Sequence, residues 1–110
     1  MKRTRTYLPT TVEAVETLGV QIAAARRELG WTAADLAGRL GVTPQLVGRI
    51  EKGSPSTAIG TVLEAAVVCG VPLFGPEPQD IGRASDQARA RLALLPERVR
   101  MATPELGNDF

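Results

Sequence analysis

Histidine is absent from this chain and cysteine occurs once, at Cys69. Without an imidazole the commonest general base at neutral pH is missing. One thiol with no histidine cannot assemble the nitrogen and sulfur ligands of a zinc site. No glycine-rich loop of the phosphate-cradling kind occurs, and the carboxylates are scattered along the sequence rather than paired. These absences predict a protein that is not an enzyme and needs no cofactor. A single cysteine also has no internal disulfide partner, which points to a reducing, cytoplasmic compartment and to a thiol serving as a small buried hydrophobe. No apolar run approaches bilayer length, and the basic start Met1-Lys2-Arg3-Thr4-Arg5 is not followed by a signal-type hydrophobic segment, so no membrane association is expected.

Excess charge is scarce too. The net charge of +1 argues against a uniformly basic surface, yet the charge is unevenly placed. Residues 1–7 hold three positive and no negative charges, while residues 8–74 and 75–110 each contain five positive and six negative ones. The excess therefore forms a basic arm over 1–10, read either as phosphate or minor-groove contacts by Lys2, Arg3 and Arg5 or as a solvated terminus. With 110 residues and 44% apolar content the chain suits one small domain plus a tail.

The richest segment is residues 31–53, WTAADLAGRLGVTPQLVGRIEKG. Leu36, Ala37 and Leu40 give one short helix an apolar face, with Ala37 small enough for a second helix to pass close. Gly41 supplies a turn in which a left-handed backbone costs glycine little. Thr43 suits the N-cap of the next helix and Pro44 its first position, and Val47 and Ile50 face inward at a spacing of three. Gly53 then stops this helix. Two helices joined by so tight a turn make a helix-turn-helix.

Around this unit the apolar periods predict further helices. The first covers about 11–29, capped by Thr10 or Thr11 with Glu13 and Glu16 near its start, and carries a stripe of Val12, Val15, Leu18, Gly19, Ile22, Ala25 and Leu29. Arg26 lies inside that stripe and needs a partner. Ser54-Pro55-Ser56-Thr57 breaks the pattern and offers two caps for a helix whose period selects Ile59, Val62, Leu63, Ala66 and Val67. Gly70 to Pro76 reads as an extended, turn-rich crossing. Leu73 and Phe74 anchor it, either on the chain's own core or against symmetry mates as a short intermolecular strand. A last helix is expected from about Asp80 to Leu95, ended by Pro96, with Ile81, Ala84, Ala88, Leu92 and Leu95 on one face. That face needs cover, which a second copy or a partner protein would supply. Residues 101–110, MATPELGNDF, lack periodicity.

Residues 31–53 resemble the Xre/Cro-like helix-turn-helix family, in Trp31-Thr32, Ala37, Gly41-Val42-Thr43 and Arg49-Ile50-Glu51-Lys52-Gly53. The resemblance implies an all-α, compact, lambda-repressor-like helix-turn-helix bundle of four to five helices. It would occupy 11–74, followed by a helical extension over 75–101 for dimer or partner contact and a flexible tail over 102–110. It also implies an ion pair between Arg26 and Glu51, which occupy the family's matching positions. On such a scaffold the start of the second helix faces base edges. Gln45 and Arg49, four residues apart, are the expected readers of adenine and guanine, and Leu46 adds contact to a thymine methyl. Thr32, Thr43, Lys52 and Ser54 are the expected phosphate contacts. The chain departs from the family where Ala33 replaces a phosphate-binding glutamine common in relatives, and where Pro44 and Gly48 carry no polar side chain. Weak binding per monomer follows, and with it a homodimer on a pseudo-palindromic double-stranded operator.

The whole chain further resembles HipB-type antitoxins, in Val71-Pro72-Leu73-Phe74-Gly75 and in Arg89-Ala90-Arg91-Leu92-Ala93-Leu94-Leu95-Pro96. That resemblance implies a repressor of its own operon that binds and neutralises a HipA-like kinase toxin, with the phosphotransfer chemistry belonging to the partner. Phe110, closing an acidic tail, is then either a docking anchor or without a role. Two other readings stay open: a stand-alone repressor with no toxin, and an interaction module that keeps the fold without binding DNA.

Overall fold

The computed structural model describes residues 6–99. Among them the protein is all-α, with five helices and no strand: α1 Pro9–Glu28, α2 Ala33–Leu40, α3 Pro44–Glu51, α4 Ile59–Cys69 and α5 Asp80–Ala93. The arm residues Lys2, Arg3 and Arg5, the tail 102–110 and Phe110 lie outside the described residues, so their expected roles carry over only as proposals.

Each of the first four helices packs on its neighbours around one small aliphatic core. Ile22 of α1, Leu36 of α2, and Val47 and Ile50 of α3 are its largest fully enclosed side chains. Val62, Ala65, Ala66 and Cys69 of α4, with Val71 beyond it, complete the cluster. Gly19 explains how α1 and the end of α3 come so close. A Cβ at that position would lie 2.6 Å from the carbonyl oxygens of both Ile50 and Glu51, so the backbones meet where only hydrogen fits.

Several local expectations are corrected. α1 starts two residues early, inside the span assigned to the arm. Its N-cap is Leu8, held extended at φ −64° and ψ 149° with no side-chain cap bond, and neither Thr10 nor Thr11 caps it. Pro9 sets this start, since its fixed φ suits the first helical position and its ring keeps the preceding residue extended. Leu29, expected on the inner stripe, is half exposed as the C-cap. α4 likewise lacks a side-chain cap, because its N-cap is Ala58, which has no side-chain acceptor; Thr57, one residue earlier, donates its hydroxyl to the Ser54 carbonyl, 2.9 Å away.

The inner face of α4 is also rotated from the expected one. Ile59 is 76% and Val67 59% exposed, whereas Ala65 and Cys69 are buried. Both Ile59-Leu63-Val67 and Val62-Ala65-Ala66-Cys69 follow a helical period. The second stripe is the smaller, and it lets α4 settle against α1 and α2 at short range. Leu73 packs on this core, so the crossing is anchored within the chain at that residue. Phe74 is not. It stands 73% exposed with a left-handed φ of 64°, uncommon for a side-chain-bearing residue.

Candidate nucleic-acid interface

α2 and α3 are pinned at both ends, and the pins fix which side chains face outward. Thr32 and Asp35 form a reciprocal capping box at the start of α2. The Asp35 N–H donates to Thr32 Oγ1 at 3.0 Å, and the Thr32 N–H donates to Asp35 Oδ2 at 2.8 Å. These bonds, from the Thr32 backbone first, hold the Asp35 carboxyl below its ordinary range. The spacing Thr32-x-x-Asp35 carries this signal in the sequence, but Asp35 was not among the expected functional residues. After Gly41, in the left-handed conformation at φ 71°, Thr43 caps α3 by accepting the Leu46 N–H at 3.1 Å.

The far end of α3 closes in a Schellman turn. The Ser54 N–H donates to the Arg49 carbonyl and the Gly53 N–H to that of Ile50. Gly53 has φ 75°, and a Cβ there would collide with Glu16 at 2.5 Å, so this turn also seats against α1. Beneath it, Arg26 reaches across from α1 to Glu51. Nε donates to Oε2 at 2.6 Å, Nη2 to Oε1 at 3.0 Å, and Nη1 to the Trp31 carbonyl at 2.8 Å. The pair's side chains are only 10% and 12% exposed. Hydrogen bonding to Glu51 raises the Arg26 pKa above its already high ordinary value, outweighing the opposing effect of burial. One guanidinium thereby joins α1, the end of α3 and the segment before α2.

With its inner face so fixed, α3 presents Gln45 and Arg49 to solvent one turn apart. Leu46 is only half available, since part of it packs on the core. Thr32, Thr43 and Lys52 are exposed around the same two helices, and Ser54 is half-buried beside its 3.1 Å contact with Ser56. Arg39 was missed by sequence reasoning. Its guanidinium lies 4.0 Å from the centre of the Trp31 ring, in a cation–π contact eight residues apart that helical spacing does not announce. Cys69 is buried as expected, and loss of hydration raises its thiol pKa.

A helix-turn-helix domain family matches residues 17–75, which is more than half the chain and spans α1 from Thr17 through the crossing after α4. The chain belongs to this helix-turn-helix family, a class of DNA-binding regulators. No curated protein and no solved structure matches the chain. Among the described residues no helix is long and apolar enough to cross a membrane.

Proposed function

We propose that this protein is a sequence-specific transcriptional repressor that binds double-stranded operator DNA through α3. The observation that carries this reading is the free face of α3: Gln45 and Arg49 stand exposed one turn apart while Val47 and Ile50, on the same eight-residue helix, are locked in the core. A short helix held this way offers two rigidly presented side chains, of the two types that form paired hydrogen bonds with adenine and guanine. Leu46, half exposed, touches a thymine methyl with what remains of its side chain. Thr32 and Thr43 accept backbone bonds and so keep their hydroxyl hydrogens for phosphate oxygens. Lys52 and Ser54 flank the other end of the helix, and Lys2, Arg3 and Arg5 add charge from the arm.

So few readers per chain favour two-fold binding, with a homodimer spanning two half-sites about one helical turn apart. The experiment is a DNA-binding titration over a range of salt concentrations against a selected operator, comparing wild type with Gln45→Ala and Arg49→Ala. Each variant should lose about 1–3 kcal/mol at particular base pairs and keep the wild-type salt slope. Equal loss on every sequence would make both residues phosphate contacts. No binding by the wild type would leave an interaction module that shares the fold without the activity.

The finer reading is an antitoxin of a HipA-like kinase that represses its own operon and neutralises the toxin by direct binding. It is supported by the resemblance of the crossing, Val71 to Gly75, and of the C-terminal helix, Arg89 to Pro96, to such antitoxins. Phe110 is its proposed anchor. Deleting residues 102–110 and measuring kinase and operator binding separately tests this role, because unchanged kinase affinity removes the tail from the mechanism.

A further inference from the structure

α5 is a 14-residue helix with no buried residue, although one of its faces is apolar. At 100° per residue, Ile81, Ala84, Ser85, Ala88 and Leu92 fall within one face about 100° wide. Ile81 is 46% exposed and Leu92 70%. Phe74 rises beside this face and, with Ile81, Ala84, Ser85 and Ala88, walls a groove of about 310 Å³. The exposed, left-handed Phe74 is one wall of this site rather than an isolated oddity.

We propose that the occupant is α5 of a second copy of this chain, packed antiparallel about a two-fold axis lying between Ser85 and Ala88. This pairing rests on the two-fold reading of the repressor and supplies the interface that reading lacks. Two features of the helix select it. The first is side-chain size. Antiparallel pairing about that point sets Ile81 opposite Leu92 of the second copy, and Ser85 opposite Ala88, so small residues meet at the axis where the helices cross and large ones fill the two ends. Leu92 of each copy then enters the groove under the other's Phe74.

The second feature is charge. The start of α5 carries Glu77 and Asp80 against one arginine, Arg83, while its last turns carry Arg91 and Arg89, whose Nε donates to Ser85 Oγ at 3.1 Å. Asp80, 14% exposed, accepts the Glu77 N–H at 2.8 Å and lies 3.5 Å from Arg83, which is 63% exposed and falls on the opposite side of the helix in register from Ile81. Antiparallel packing brings each acidic end to the other copy's basic end and opposes the helix dipoles favourably. A parallel pair would set arginine against arginine and acid against acid.

The test uses the full chain without DNA. Sedimentation should show a dimer, and Ala88→Arg should raise the dimer dissociation constant at least tenfold with helix content by circular dichroism unchanged. Ile81→Cys and Leu92→Cys, made separately, should form a disulfide with each other when the two variants are mixed and oxidised, and neither should cross-link to itself efficiently. A wild type monomeric over the whole concentration range overturns the proposal and leaves the face to a different partner. A dimer indifferent to Ala88→Arg overturns it, and so does efficient self-linking at position 81 or 92, the mark of parallel packing. None of these outcomes depends on DNA. A dimer that ignores every operator leaves the interface standing and the repressor reading fallen, whereas a monomer that still binds single half-sites does the reverse.

Discussion

A guanidinium among apolar side chains is tolerated when its donors are answered, and Arg26 meets that condition with three hydrogen bonds to two groups. That Arg26 needs a partner is legible in the sequence, because a charge inside an apolar stripe must be answered, whereas Glu51 as that partner was implied by the family resemblance. The third bond of Arg26, to the Trp31 carbonyl, is not legible, since a backbone acceptor leaves no trace in residue type. Removing one partner strands the other's charge in a site about one-tenth exposed. Arg26→Leu and Glu51→Gln should each cost about 3–5 kcal/mol of folding stability, measured by denaturant titration, with base preference in DNA binding unchanged where the protein remains folded. A loss below about 1 kcal/mol would reduce the pair to a surface contact. At Gln45 and Arg49 the reverse is expected, with little change in stability and a change in preference.

Helices declare themselves through caps and periods, and where both were strong the sequence was easily read. Thr43-Pro44 and Gly53 bound α3 to the residue. α4 was misread because it is apolar on two sides, and period alone cannot choose between stripes of equal regularity. Contact distance chose, favouring the face with Ala65, Ala66 and Cys69. α1 starts ahead of the expected threonine caps because Pro9, whose fixed φ suits the first helical position, decides the start without any side-chain cap. At the start of α2 the capping box gives a pH signature. Asp35 has a folded pKa below its unfolded value, so its contribution is full above the unfolded pKa and is lost as pH falls through the folded one. The stability gap between wild type and Asp35→Ala, followed by urea titration, should therefore be widest near neutrality and close in acid. A gap that persists at the lowest pH would place the effect in packing rather than in the carboxylate.

For the molecule as a whole, the division is between a four-helix domain with its own core and a fifth helix that adds nothing to that core. Truncation after Gly75, where the family match also ends, should leave cooperative thermal unfolding, with Tm insensitive to protein concentration. A truncated chain without cooperative unfolding would instead make α5 part of the fold. The sequence by itself determined the class of the molecule: short capped helices, the glycine turns between them, a cation on an apolar face that must be answered, and two polar residues one turn apart on the third helix. These features are local, set by dihedral preference and by spacings of three and four residues. Only the tertiary structure decided which stripe of α4 is inside, how closely Gly19 lets α1 meet α3, that Arg39 stacks on Trp31, and that Phe74 and α5 share an open groove. Each depends on the distance between segments remote in sequence, and residue spacing along one helix carries no record of that distance.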